Sequence, residues 1–119
     1  MTRDILHRRT KKFHIDIIKL CGNFPKSPAG YELAKQLIRS AGSVGANYRA
    51  SARAKSRADF INKIQIVIEE ADESKYWLEI IYESGINVTG EARTLKLEAN
   101  ELTAIFTATN KTAKANRNV

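Results

Sequence analysis

The stretch RSAGSVGANYRASARAKSRADF, residues 39–60, differs in composition from the long amphipathic segments on either side of it. It collects glycine, alanine and serine, which give a helix little apolar surface to bury. Between these small residues lie cations that project positive charge: Arg39, Arg49, Arg53, Lys55 and Arg57. The stretch therefore predicts the end of one helix, the start of the next and a basic surface beside both.

Helix signals extend outward from this stretch in both directions. Ser56, with Asp59 three residues later, is typical of a helix start, and Ser27 before Pro28 marks another. Apolar residues recur at helical spacing in four segments. These predict helices over about residues 3–21, 29–54, 57–84 and 90–110, followed by a polar tail that we expect to be frayed.

The apolar stripes of the four helices predict a shared core. Their members are Leu6, Phe13, Ile17 and Leu20; Leu33, Leu37, Ala41, Val44 and Tyr48; Phe60, Ile64, Val67, Ala71, Leu78 and Ile81; and Leu95, Ala99, Leu102, Ile105 and Phe106. Helices of this length joined by short links favour an all-α fold, an antiparallel up-down-up-down four-helix bundle. We expect it to form a single domain of residues 1–119.

Composition narrows the class of protein. The 119 residues carry a net charge of +7, and residues 1–57 hold thirteen lysines and arginines against three acids. Residues 58–90 instead hold seven acids against two lysines. Such polarised charge favours a polyanionic partner. With one cysteine, Cys21, and no signal peptide or membrane-spanning run, we expect a cytoplasmic protein that contacts no membrane.

Helix two carries a basic arc and a ridge of small residues on the same side. At 100° per residue, Arg39, Arg49 and Arg53 share one arc, away from the core stripe. The ridge inside this arc consists of Gly42, Ala46 and Ala50. Three explanations stay open: another helix packs closely on the ridge, a nucleic-acid backbone lies along it, or alanine serves there as a good helix former.

Helix three carries a second apolar stripe, nearly opposite its core face. It consists of Ile66, Trp77 and Ile80, beside Glu70 and Glu73. An exposed stripe of this kind is typical of a subunit contact, although a crossing helix or the tail could cover it within the monomer. Pairing of this acidic face with the basic ridge of the next subunit predicts a head-to-tail ring.

Three blocks of the sequence resemble a known family: SAGSVGANYR at residues 40–49, ADFINK at 58–63 and EEADESKYWLE at 69–79. Over about residues 10–108 the chain resembles the four-helix-bundle family typified by the 23S ribosomal RNA intervening-sequence proteins. That family is similar to the accessory variability determinant proteins of diversity-generating retroelements. The resemblance implies a homopentamer with a basic surface or channel, for which nucleic-acid binding has been proposed and no enzymatic activity established. Many members read NIAE where residues 47–50 read NYRA, so Arg49 makes helix two more basic.

The sequence offers no pattern typical of catalysis or metal binding. His7 and His14 share one flank of helix one, but there is no Glu-x-x-His of the di-iron bundles, no glycine-rich phosphate loop and no nucleophile elbow. We therefore expect no enzymatic activity, metal or cofactor. Asn47 borders the core, where we expect it to bond between helices and to set their register. Cys21 is expected to be a small buried apolar residue.

The leading hypothesis is a non-enzymatic oligomeric bundle that binds RNA or DNA phosphates and helps a partner enzyme engage nucleic acid. The nucleic-acid-binding candidates are Arg39, Arg49, Arg53, Lys55 and Arg57, with Arg8, Arg9, Lys11 and Lys12 on helix one. The subunit-interface candidates are Gly42, Ala46, Ala50, Ile66, Trp77, Ile80, Glu70 and Glu73. The alternative is a protein-protein interaction scaffold whose basic and acidic faces pair only between subunits. A metal or small-molecule enzyme built in the bundle core is a third hypothesis.

Overall fold

The computed structural model describes residues 1–116 and contains four α-helices. They are α1 at Arg3–Cys21, α2 at Pro28–Ser51, α3 at Arg57–Glu83 and α4 at Gly90–Asn116. No strand is present among the described residues, so the predicted all-α class is confirmed. In the same part of the chain, no helix combines the length and the apolarity that a bilayer crossing requires.

Each helix begins where a side chain accepts a hydrogen bond from an otherwise unpaired backbone N–H group. At α1, α2 and α3, the hydroxyls of Thr2, Ser27 and Ser56 accept from the N–H three residues later, at 3.1–3.2 Å. Before α4, the Thr89 hydroxyl accepts from the Ala92 N–H at 3.4 Å and donates to the side-chain oxygen of Asn87 at 2.7 Å. A helix cap stabilises a protein by about 1 kcal/mol. These caps are the local reason that the helices start close to the predicted positions.

The ends of two helices differ from the prediction. α2 ends at Ser51 because the next three N–H groups bond to carbonyls three residues back, which tightens the chain into the turn before α3. α4 continues to Asn116, so the frayed tail predicted after residue 110 is wrong for the described residues. Asn110 is buried, and its Nδ2 donates to the Ile61 carbonyl of α3 at 3.1 Å. Because α3 is as long as α4, it gives α4 a packing partner over its whole length.

A continuous apolar core lies between the helices. Leu33, Phe60 and Ile105 are half-buried against this core, and all other members of the four predicted stripes are buried. The predicted core is therefore confirmed. The 3.6-residue period identifies these side chains because burial of apolar surface is the main favourable term in folding.

Each helix contacts the two helices beside it: α1 and α3 each pack against α2 and α4. α3 and α4 are antiparallel. Ile61, near the start of α3, bonds to Asn110 near the end of α4, and Lys75, further along α3, bonds to Asn100, which comes earlier in α4. The result is an elongated bundle with extents of 52 × 21 × 21 Å. An antiparallel arrangement of this kind brings chain segments that are distant in sequence to the same end.

The turn between α1 and α2 folds tightly against the first turn of α2. Phe24 in this turn is buried in the core. A Cβ atom at Gly30 would lie 2.1 Å from the backbone oxygen of Pro25. Because the obstacle is backbone, only glycine fits position 30 without displacing the turn.

Replacing Gly30 with alanine is expected to lower the free energy of unfolding by about 1–3 kcal/mol, since the added methyl group overlaps the Pro25 carbonyl. Gly90 is the matched control, because nothing lies within 4 Å of its Cβ position. Gly90→Ala should leave the stability unchanged or raise it slightly. Urea unfolding followed by circular dichroism measures both variants. Equal stability of Gly30→Ala and the natural chain would contradict the close approach at Pro25.

Candidate functional site

The small-residue ridge of α2 is partly covered by α1 of the same chain. A Cβ atom at Gly42 would lie 2.9 Å from Cε1 and Nε2 of His14, and one at Gly45 would lie 3.6 Å from Thr10. Close approach of the His14 ring therefore accounts for Gly42 within one subunit, whereas a Cβ atom at Gly45 would make only ordinary contact with Thr10. Ala46 is exposed and Ala50 is half-exposed, and both remain candidates for a subunit contact.

Arg39 forms an ion pair with α3 of its own chain. Its guanidinium donates to Glu70 at 3.0 Å and also contacts Glu73. The indole N–H of Trp77 donates to the same Glu73 carboxylate at 3.3 Å. The cation and the acids that the sequence assigned to two different subunits therefore meet inside one. Since the charge of Arg39 is offset locally, this residue is poorly placed for a phosphate contact.

Arg9 is tied to α4 in a similar way. Its Nε and Nη2 donate to both oxygens of Glu98 at 2.7 Å, and Nη2 also donates to Glu101 at 3.0 Å. The hydrogen bond to Glu98 raises the pKa of Arg9 above its ordinary value, so the guanidinium stays charged. Lys12 pairs with Asp16 one turn along α1. Of the predicted helix-one patch, Arg8 and Lys11 are exposed and form no salt bridge among the described residues.

The apolar stripe predicted on helix three is divided between solvent and core. Ile66 is 41% exposed, as predicted for a subunit contact. Trp77 is half-buried and packs against the core, so for this residue the prediction of a free surface is wrong. Its indole reaches the seam between α2 and α3, where Glu73 accepts its N–H. Ile80 is also half-buried.

Asn47 does not link two helices, which corrects its predicted role. Its Nδ2 donates to the carbonyl and the hydroxyl of Ser43, at 2.9 and 2.8 Å, one turn back on α2. The buried polar contact between α2 and α3 is instead the hydrogen bond from Ser74 to Ser40, with the hydroxyl oxygens 2.9 Å apart. Sequence reasoning missed this pair because serine is common on helix surfaces and burial depends on the neighbouring helix.

Three segments meet at the end of the bundle that contains the α2–α3 turn. The guanidinium carbon of Arg3 lies 5.7 Å from the ring centroid of Tyr48, within cation–π range. The Tyr48 ring centroid lies 5.0 Å from that of Phe106 on α4. A shallow groove at the same end is lined by Arg57 and Phe60 of α3 and by the last turns of α4. The start of α1 and the end of α4 therefore flank the α2–α3 turn.

This end, defined as residues 1–8, 48–65 and 106–116, is called the basic end below. Its acids are Asp4 and Asp59, and its nine cations are Arg3, Arg8, Arg49, Arg53, Lys55, Arg57, Lys63, Lys111 and Lys114. The opposite end, residues 16–35 and 79–96, holds five cations and five acids. The positive charge of the chain is therefore concentrated at one end of a rod 52 Å long.

Most cations of the basic end are exposed and have no carboxylate partner. Arg49, Arg53, Lys55 and Arg57 are exposed, and none forms a salt bridge within residues 1–116. Asp59 pairs with Lys63, and hydrogen bonds from the Lys55 N–H and from Lys63 hold the pKa of Asp59 below its ordinary value. The carboxylate is therefore ionised, and it interacts with the charges of Lys63 and Lys55.

Four cations of this end were not predicted as site residues: Lys63, which pairs with Asp59, and three that form no salt bridge among the described residues. Arg3, Lys111 and Lys114 are exposed and lie near the two chain termini, far in sequence from the α2–α3 turn. The one signal that could have found them is the antiparallel topology, since it places the start of α1 and the end of α4 beside that turn.

The histidines and the cysteine occupy structural positions. His7 stacks on Tyr48 with ring centroids 4.6 Å apart, and His14 lies over Gly42. Burial raises the pKa of the Cys21 thiol to about 11, so the unreactive protonated form prevails at neutral pH. Within the part of the chain that the structure describes, no three His, Cys, Asp or Glu side chains are grouped to hold a metal ion.

Comparisons with known proteins agree with this architecture. Residues 5–108 match the family model described as 23S rRNA-intervening sequence protein. The chain is also similar to a solved structure of a protein with unknown function from the S23 ribosomal protein family, from Bacteroides thetaiotaomicron VPI-5482. The two are 29% identical with a TM-score of 0.84, over 93% of this chain and 99% of that one. None of the curated proteins matches this chain significantly.

Arg9 and Arg39, which both pair with carboxylates of another helix in the same chain, should contribute different amounts to the free energy of unfolding. Arg9→Ala is expected to lower the free energy of unfolding by about 1–3 kcal/mol, because Glu98 loses a bidentate, half-buried partner. Arg39→Ala should cost about 1 kcal/mol or less, since its side chain is 51% exposed and solvent screens its pairs. Denaturant unfolding of both variants checks this order. A larger loss for Arg39→Ala than for Arg9→Ala would overturn the assignment of Arg9 as the main clamp between α1 and α4.

Proposed function

The chain belongs to the 23S rRNA-intervening sequence protein family, and from this membership and the charge distribution we propose that it is a non-enzymatic helical bundle that binds nucleic-acid phosphates through its basic end. The observation that carries the proposal is the cluster of exposed cations without carboxylate partners at that end. Arginine and lysine in such a cluster bind phosphate through charge-assisted hydrogen bonds and release of counterions.

The proposed binding residues differ in part from those that the sequence indicated. Arg49, Arg53, Lys55 and Arg57 are retained, and Arg3, Lys111 and Lys114 are added because the fold places them at the same end. Arg9, Lys12 and Arg39 are left out, since carboxylates of the same chain offset their charges. Arg8 and Lys11 lie along the outer side of α1 and extend the cationic surface away from the end.

This arrangement favours binding that depends on salt and tolerates many sequences. Contacts to phosphate position a protein on nucleic acid but carry no direct sequence information. In the proposed role, the protein supplies affinity and orientation, and a partner enzyme that acts on nucleic acid supplies the chemistry.

Replacing Arg53 and Arg57 together with alanine is expected to weaken binding to RNA or DNA about equally across unrelated sequences. The slope of log affinity against log salt should become shallower by about 2, because two phosphate contacts are lost. Fluorescence anisotropy titrations at several salt concentrations measure both quantities.

The matched control is Arg93→Ala with Lys96→Ala, which removes the same charge from the opposite end. This control should keep the natural affinity and slope. Equal losses in the two double variants would show that net charge, and not the basic end, determines binding. Absence of binding by the natural chain at low salt would overturn the proposal.

A second candidate function, self-association into a scaffold, is favoured by apolar side chains exposed within charged faces. On α1, Ile15 and Ile18 are 42% and 47% exposed and lie among Lys11 and Lys19. On α3, Ile66 and Tyr76 are 41% and 52% exposed, and the neighbouring side chains on that face are acidic. Opposite charges around apolar centres favour head-to-tail contact between copies, so we propose a homo-oligomer, with a pentamer expected from the family resemblance.

Ile66→Lys is expected to reduce self-association, since it places a cation where the basic α1 face of a second copy would dock. Leu97→Lys is the control, because Leu97 is 58% exposed on α4, away from both faces. Light scattering after size-exclusion chromatography gives the mass relative to 13.4 kDa for one chain. The scaffold proposal fails if the natural chain is monomeric, or if Ile66→Lys and Leu97→Lys give the same mass as the natural chain.

A further inference from the structure

The aromatic side chains near the basic end are turned toward the core. Tyr48 is 4% exposed and Phe106 is fully buried, while Phe60 is half-buried against the core. The exposed tyrosines lie elsewhere. Tyr31 and Tyr82 are at the opposite end, and Tyr76 is on the acidic outer side of α3. Among the described residues, the only phenylalanine, tyrosine or tryptophan ring that is partly exposed beside these cations is Phe60, which lines the shallow groove with Arg57.

This placement bears on the form of nucleic acid that the basic end can hold. Proteins that bind single strands combine cations with exposed aromatic rings, and each stacked base contributes about 1–3 kcal/mol. A surface whose one accessible ring is half-buried gains little from stacking with unpaired bases. Its affinity comes mainly from phosphates, so it favours the form that presents more phosphates in fixed positions.

The cations are spread over an area and held on rigid elements. Arg3 is on α1, Arg49 on α2, Arg57 on α3, and Lys111 and Lys114 on α4. They surround a cross-section of 21 × 21 Å. A double helix presents about twelve phosphates along 21 Å of its axis, whereas a single strand at the same rise presents about six along one line. Two rows of phosphates on a stiff support match a two-dimensional array of cations better than one flexible row.

We propose that the basic end selects double-helical nucleic acid over single strands, by contact with both phosphate rows. This inference rests on the proposed function and specifies its ligand as a duplex, such as the stem of a folded RNA. It also assigns Lys111 and Lys114 to the same binding surface as Arg53 and Arg57, since a second phosphate row needs cations on the α4 side.

The test is a set of anisotropy titrations of the full chain with three labelled probes of equal length, about 24 nucleotides per strand: an RNA duplex, a DNA duplex and an unstructured single strand. At about 0.1 M salt, at least one duplex is expected to bind at least tenfold more tightly than the single strand. Lys111→Ala with Lys114→Ala should remove most of that difference, whereas the control pair Arg93→Ala with Lys96→Ala should keep it. Circular dichroism confirms that each variant keeps its helix content.

The possible results distinguish failure of the duplex preference from failure of the proposed function. Single-strand affinity equal to or higher than both duplex affinities overturns the duplex preference and leaves phosphate binding at the basic end in place. An unchanged duplex preference in the Lys111 and Lys114 variant overturns the contact with two phosphate rows. Absence of binding to all three probes overturns the proposed function, and the inference with it.

Discussion

The close contact between α1 and α2 is the constraint on which the surface of this bundle depends. Because Gly42 has no side chain, the His14 ring of α1 lies directly over the α2 backbone, and Thr10 of α1 packs near Gly45. This contact places α1 over the part of α2 around Gly42, whereas Arg49, two turns further along α2, is exposed. It also shows why the helix tolerates glycine at position 42, which costs about 1 kcal/mol in helix propensity. The cost is offset by the packing of a whole neighbouring helix.

In the described part of the chain, arginines in the middle of the bundle are paired with carboxylates, whereas most cations at the basic end are not. In the middle of the bundle, Arg9 faces Glu98 on α4, and Arg39 faces Glu70 and Glu73 on α3. At the basic end, the first turns of α3 and the last turns of α4 are poor in acids, so the cations there lack partners. A rod with one strongly positive end attracts a polyanion to that end and orients itself in the process. The bulk net charge of the chain says nothing about this orientation.

Similarity to known proteins identifies the fold of this chain, whereas the positions of its charged and aromatic side chains indicate its function. Membership of the 23S rRNA-intervening sequence protein family and the similarity to a solved bundle establish the architecture. A fold does not by itself specify a function, so the proposed binding role rests on the exposed cations and on the inward-facing aromatic rings at the basic end. Inward-facing rings have a second consequence. Tyr48, packed between His7, Phe106 and Arg3, fixes the positions of the helix ends that carry the cations.

The sequence alone determined the helices, the core stripes and the excess of positive charge around the α2–α3 turn, because periodicity and capping are local properties of the chain. It could not predict the burial of Trp77 or the partner of Asn47 correctly, and it left helix packing at Gly42 as one of three explanations, since each depends on the neighbouring side chains at that level. Only the tertiary structure decided that Arg9 and Arg39 are tied to carboxylates while Arg3 and Lys114 join the basic end. The physical reason is that an ion pair needs its partners within about 4 Å, and side chains distant along the chain reach that separation only when the helices pack.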